Sequence, residues 1–450
     1  MPNVYPFRAL SYSTGKDLSG VVAPPYDVLD NAGKQKLLAK DPRNIVAIDL
    51  PHTPAKELGP QASYDGAAVA LQSLISQGVL TQSREPVMFA YRQSFTNADG
   101  RKVQRSGMAC CVETVPFGPR EGGGMLPHEE TFSGPKEDRM ALMKATHTQL
   151  SPIFGLHADD QGLATALLHE VMNAHKPDHT ATTDDGTLHE VWTITDNAIQ
   201  QRYQRALQTD DVFIADGHHR YTTGLNYLAA LEKAGPVPAD HPARRCMIVL
   251  IGMSDPGLVI WPTHRVLGGM NGYSFDAFAK ASKDLLRISP APCKLADIER
   301  EMMNITMPQA PLPTNVLGLY DFANAKCYVA TFVQRDPLKA RFHDKPRAWR
   351  DLDVALIQYA IVENICQKTL NAGEPVKWAF PHTLAEVDAI GKGAETGAGG
   401  GAGFAQLAII VKPTPLRAVR EISQAGQLMP QKSTFFYPKL ATGLFINPLR

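Results

Sequence analysis

An excess of charge of either sign is missing from this sequence: Lys plus Arg and Asp plus Glu each number 45 in 450 residues, for a formal net charge of zero. Without a basic excess there is no long-range attraction toward nucleic acid or an anionic membrane surface, so neither is expected as a partner. No window approaches the ~18 uninterrupted apolar residues of a membrane-spanning helix. The amino terminus, Met-Pro-Asn-Val-Tyr-Pro-Phe-Arg, lacks the basic start and apolar stretch of a secretory signal. Cysteines are few (110, 111, 246, 293, 327 and 366) and none are in Cys-x-x-Cys spacing, which disfavours a disulfide framework or a structural zinc site. Cys110 and Cys111 lie in an apolar run and read as small buried side chains. These absences together point to a reducing, cytoplasmic setting.

What is present is an ordinary globular composition, 44% hydrophobic and 20% charged, over a length that usually divides into two or three domains. Helical spacing over Ser63–Gly78 puts Ala67, Leu71, Leu74 and Ile75 on one stripe. Asn44–Leu50 and Pro86–Phe95 read as strands, and Asn97-Ala98-Asp99-Gly100 turns the second into an antiparallel hairpin with Val103–Val115. Further helices are expected from the 134–139 stretch to about Thr146, and over Leu163–Ala174, His218–Ala234 and Val354–Cys366. Further strands are expected at Ser151–Leu156, His179–Thr183, Leu188–Thr195, Asp211–Ala215, Arg245–Gly252 and Leu258–Trp261.

The fold class that follows is α/β to α+β, with mixed sheets and flanking helices. Three regions are expected: an N-terminal α+β domain over 1–157, a central α/β domain over 158–345, and a C-terminal α/β segment over 346–450. The stretch from Gly391 to Gly403 holds seven glycines in thirteen positions. It lacks the Gly-Lys-Ser/Thr ending and the preceding strand of a nucleotide-cradling loop, and reads as a flexible surface insertion.

Chemistry concentrates at Asp216-Gly217-His218-His219-Arg220-Tyr221. A buried strand ending at Ala215 brings Asp216 out at a sheet edge, and Gly217 turns the chain into a helix whose first amides face an incoming ligand. Arg220 adds a planar fork for phosphate or carboxylate. His218 and His219 offer donors to the same anion or proton transfer near neutral pH. Adjacent helical histidines diverge by about 100° and do not make an i, i+4 metal pair, so no protein-held metal is expected. Asp216 with one histidine would still help to hold Mg²⁺ carried by a nucleotide. The plainer alternative is an aspartate cap, a turn glycine and surface histidines.

A second segment, Leu126-Pro127-His128-Glu129-Glu130-Thr131 with Pro135-Lys136-Glu137-Asp138-Arg139, gathers a carboxylate base candidate, Glu129, with His128, Lys136 and Arg139 as anion ligands. A solvated loop ahead of a helix reads equally well. Lys432, Ser433 and Thr434, beside aromatics, form a third candidate, and Thr263-His264-Arg265 a fourth. Ala23-Pro24-Pro25-Tyr26-Asp27-Val28 reads as a rigid turn carrying a phenol and a carboxylate.

Taken in order, these segments resemble the bacterial and archaeal family catalogued as domain of unknown function 1015. The stretches that carry the likeness are Tyr5–Leu10, Val22–Val28, Pro127-His128-Glu129, Pro135-Lys136 with Asp138-Arg139, Ser151–Phe154, Ile214–Tyr221, Pro262–Arg265 and Met429–Leu440. Two departures are the glycine insertion and Pro381-His382-Thr383, where the family leads one to expect His followed by an acid. The Asp-Gly-His-His-Arg element is similar to a phosphate-binding motif of the ParB and sulfiredoxin-like fold, which includes an ADP-dependent free-serine kinase. Members are also similar in genomic setting to serine-biosynthesis enzymes. The resemblance therefore implies a ParB/sulfiredoxin-like core with added domains, acting on serine or phosphoserine with a nucleotide. Two functions follow: a phosphotransferase or phosphatase for a small hydroxy acid, with Asp216, His218, His219 and Glu129 as catalytic groups, or a non-catalytic nucleotide-binding regulator. A DNA-associated role is opposed by the charge balance.

Overall fold

The computed structural model describes residues 3–13, 15–55, 57–129, 133–207, 210–304, 315–396 and 399–450. The chain forms two compact units, one of Met1–Val259 with Phe436–Arg450 and one of Ile260–Phe435.

The first unit is built on a nine-stranded mixed sheet. Its strands in chain order are β1 (Val4–Tyr5), β2 (Met88–Thr96), β3 (Lys102–Glu113), β4 (Met125–Leu126), β5 (Ile153–His157), β6 (His179–Thr182), β7 (Leu188–Ile194), β8 (Val212–Asp216) and β9 (Arg245–Gly252). Across the sheet the order is β4-β8-β5-β9-β3-β2-β7-β6, with β1 also on β3. The β8–β4 and β9–β5 pairs are parallel, and the other pairs, including the expected β2–β3 hairpin, are antiparallel. Buried side chains of these strands, among them Met108, Cys110, Ile214 and Ile248, form one core with Leu167, Leu168 and Val171 of helix α1 (Leu163–Ala174) and Tyr203 of α2 (Asn197–Ala206). Helix α3 (His218–Ala234) follows β8 and adds Tyr221 to that core.

The second unit carries a six-stranded antiparallel sheet of β10 (Arg265–Gly268), β11 (Leu286–Ala291), β12 (Val316–Asp321), β13 (Lys326–Phe332), β14 (Lys377–Ala379) and β15 (Leu407–Ile410), in the order β11-β13-β12-β15-β10-β14. Phe278, Leu317, Ile357, Ile361 and Leu407 pack on one another there. The helix expected over Val354–Cys366 forms with widened turns over Leu356–Gln367, closing i→i+5 bonds such as Lys368 N–H to Glu363 O at 3.2 Å.

One expectation is corrected. Asn44–Leu50 is no strand but contains a short helix, Val46–Asp49. The Asn44 side chain accepts from Val46 N–H at 3.0 Å and donates to Gly20 O and Val22 O at 2.8 Å, while Ile45, Ile48 and Leu50 are fully buried. That side-chain capping outweighs the β-propensity of the Ile and Val run. The described residues of the glycine-rich stretch are exposed or half-buried; Gly391 ends a helix, and Gly401 N–H bonds Ala394 O at 3.1 Å. Among the described residues no helix is long and apolar enough to cross a membrane.

Candidate functional site

Strand β8 is buried from Val212 to Ala215 and surfaces only at Asp216. Its pairing with β5 slips between Ile214 and Asp216, an irregularity that re-aims the last side chain at the sheet edge. Gly217 then adopts φ +92°, a left-handed conformation that glycine tolerates best, and α3 starts without a side-chain cap. A Cβ at Gly217 would lie 3.0 Å from Arg220 Nε, so the missing side chain is also what lets the guanidinium fold over the turn.

Asp216 is held by two cations. Its Oδ2 accepts from Arg220 Nη2, and its Oδ1 from Lys439 Nζ at 2.6 Å. Arg220 also donates through Nη1 to Pro152 O. Burial pushes the Asp216 carboxyl up, but Lys439 and Arg220 outweigh it and hold the group far below the usual carboxylate range. Burial disfavours charge on Arg220 too, and Asp216, Asp27, Tyr26 and Asp49 together reverse that, keeping it firmly cationic.

Burial disfavours charge on two imidazoles beside this group, His218 and His128. Burial, reinforced by His128, pushes His218 well below the ordinary histidine range, and burial lowers His128. Their rings meet edge to face at 4.7 Å. His128 donates its backbone N–H to His218 Nε2 at 3.3 Å and its Nδ1–H to Ile214 O at 2.7 Å. His128 Nε2 stands 3.7 Å from Glu129 Oε1. His219 lies half-buried on the first turn of α3.

Arg139 sits in a neighbouring buried network. It donates to the Asp138 carboxylate at 2.7 Å and to Asp49 O at 2.7 Å, with its guanidinium 3.9 Å from the centre of the Tyr26 ring. Asp138 also holds His52 and Tyr64, each at 2.8 Å. A cavity of about 40 Å³ is lined by Tyr26, Asp49, Arg139, Ser151 and Arg220 among others. That volume suits ordered water, well below the hundreds of Å³ of a typical organic-ligand pocket.

The structure therefore gathers Asp216, Gly217, His218, His219 and Arg220 with His128 and Glu129, and Arg139 lines the same small cavity as Arg220. Tyr221 is turned inward: its hydroxyl donates to Val115 O at 2.7 Å and accepts from Val115 N–H at 2.9 Å. Its sequence position beside Arg220 concealed this, because the helix points it into the core. Lys136 is half-buried in the early turns of Ser133–Thr146, and Glu130 and Thr131 lie outside the described residues. His264, Arg265, Lys432, Ser433 and Thr434 belong to the second unit. There Arg265 donates to Lys432 O at 3.0 Å, His264 Nδ1 accepts from Val411 N–H at 3.2 Å, and Ser433 O accepts from Thr414 at 2.6 Å. The sequence marks Lys439 only as part of a terminal stretch, and Tyr26 and Asp27 only as a turn; all three join the Asp216–Arg220 neighbourhood. Among the described residues no group of three or more His, Cys, Asp or Glu side chains is placed to hold a metal.

A family model described as "Protein of unknown function (DUF1015)" matches residues 4–355. The chain belongs to that family. In this DUF1015 member, Asp216 and Arg220 fall inside the matched region and Lys439 beyond it. No curated protein matches by sequence. Among solved structures, a free serine kinase in complex with AMP aligns at TM-score 0.32 and 12% identity, over 73% of this chain and 95% of that one. A conserved hypothetical protein from Pyrococcus furiosus aligns at 0.30 and 12%, over 72% and 96%. SbnI from Staphylococcus aureus aligns at 0.29 and 10%, over 71% and 82%.

Proposed function

We propose that the turn from Asp216 to Arg220 is the phosphate-binding element of a small-molecule phosphotransferase that uses a nucleotide and a hydroxy acid, with serine the favoured acceptor. The observation that carries this reading is the Asp216 carboxylate holding both Arg220 and Lys439 at the start of α3. One guanidinium and one ammonium group at a helix start without a side-chain cap suit a phosphoryl group, for which positioning and charge neutralisation supply most of the catalysis. The motif's likeness to the ParB and sulfiredoxin-like phosphate-binding element supports the same reading.

In this reading the two carboxylates take different roles. Asp216, clamped between two cations and held far below the usual range, is a weak proton acceptor and acts as a positioning residue. Glu129, half-buried beside His128, is the group we assign to take the proton from the acceptor hydroxyl. Neutral His218 and His128 orient the loop around it rather than add charge. Mg²⁺ would come with the nucleotide phosphates.

The test is phosphate transfer by the full chain given ADP, ATP or CTP with Mg²⁺, with and without serine or phosphoserine. Turnover lost in Arg220→Ala and in Glu129→Gln, with the circular dichroism spectrum unchanged, supports the reading. Nucleotide binding without transfer to any hydroxy acid overturns it in favour of a regulator.

A further inference from the structure

Strand β11 lies at the edge of the second unit's sheet, where Pro290 costs no ladder hydrogen bond to a further strand. Its last residue, Ala291, pairs directly with Cys327 of β13. In a regular antiparallel ladder Cys293, two positions on, would stand diagonal to Cys327 at ~7–8 Å between Cα atoms, wider than a disulfide spans. The chain does not continue regularly. Cys293 N–H bonds back to Ala291 O at 2.8 Å, a three-residue turn about Pro292 that folds Cys293 over the strand end. The two cysteine side chains interact directly there.

Of the six cysteines, all among the described residues, Cys293 alone is not fully buried. Cys327 is buried beneath the strand end while Cys293 is partly exposed, so Cys293 is the sulfur an incoming reagent reaches first. Both residues line a cleft of about 870 Å³ whose walls also carry Lys294 and Lys326, both exposed, with Arg300 paired to Asp297 at 3.3 Å. The cleft is large enough for a peptide-sized molecule and selects a negative one.

We propose that Cys293 and Cys327 are a redox-active thiol pair, oxidised to a disulfide by an anionic low-molecular-weight disulfide docked in this cleft. The Cys293 thiolate attacks one sulfur of the docked disulfide; that S–S bond breaks, and the departing thiolate takes up the proton Cys293 released. Cys327 then gives up its proton, attacks the Cys293 sulfur and expels the second small thiol, which carries that proton away. Two protein thiols are oxidised and one small disulfide is reduced to two thiols. The pair lies wholly in the second unit and does not depend on the phosphate-site reading.

The experiment exposes the native full-length protein to oxidised glutathione, alkylates the remaining thiols and maps the peptides. The wild type is expected to yield Cys293 linked to Cys327, with the other four cysteines alkylated only after denaturation. Cys327→Ser should stop at a glutathione adduct on Cys293, and Cys293→Ser should leave Cys327 unmodified, each with an unchanged circular dichroism spectrum. Lys294→Glu with Lys326→Glu should slow oxidation by glutathione disulfide ~10-fold or more and leave oxidation by uncharged hydroxyethyl disulfide unchanged. Two free thiols in the treated wild type, or a stable Cys293 adduct in the wild type equal to that in Cys327→Ser, overturns the pair. Equal slowing with both oxidants overturns the anionic docking.

Discussion

Lys439 Nζ lies 2.6 Å from Asp216 Oδ1, joining residues 223 positions apart into one largely covered ion group with Arg220. Removing the shared anion leaves two cations facing each other. Asp216→Asn is expected to destabilise the protein by about 3–5 kcal/mol, the usual cost of breaking a buried pair. Added inorganic phosphate should recover more of that loss in the variant than it adds to the wild type, because it replaces the missing charge. Urea unfolding with and without phosphate reads both; equal phosphate effects in the two proteins would contradict the anion assignment.

Gly217 is required twice, for its φ of +92° and for the approach of Arg220. Gly217→Ala should cost about 1–2 kcal/mol from the left-handed backbone alone. It should also weaken nucleotide binding in the molecules that stay folded, since the guanidinium must move. Thermal melts paired with calorimetric titration of ADP separate the two effects.

Tyr221→Phe tests the opposite kind of residue. It strips both partners from the Val115 backbone, so a loss of about 1–3 kcal/mol in stability is expected. Nucleotide affinity of the folded variant should match the wild type. A selective loss of affinity with unchanged stability would return Tyr221 to the ligand site.

Acid should weaken both units through buried imidazoles. Burial lowers His189 to about 4 and His264 to about 3, and depresses His128 and His218 as well. An unfolded imidazole titrates near ~6.5, so between that pH and the folded values the unfolded chain binds more protons. Stability is therefore full above pH ~6.5 and falls as pH drops through about 4 for His189 and about 3 for His264. Melting points followed from pH ~7.5 to ~4.5 should decline steadily below ~6.5; a flat profile would mean these rings are solvated.

The sequence made the strand-to-helix turn at Ile214–Tyr221 legible because periodicity changes there, from a buried run to helical spacing around a glycine. What it could not display were partners distant in the chain. Arg139 reads as an anion ligand at a helix start, and the sequence does not display that Asp49, Asp138 and the Tyr26 ring surround it. Tyr221 is claimed by Val115, and Lys439 finds Asp216 from the far end of the chain. At Asn44–Leu50, apolar β-branched residues indicate a strand, while the Asn44 side chain that caps Val46 is held in place by Gly20 O and Val22 O, more than twenty positions away.

The central claim is that Arg220 and Lys439, set by Asp216 at the start of α3, receive a phosphoryl group. The most direct measurement is ³¹P NMR of ADP titrated with the full-length wild type and with Arg220→Ala. The account predicts shifted and broadened β-phosphorus resonances with the wild type and free-ligand spectra with the variant. Identical perturbation by both proteins, or none by either, would contradict it.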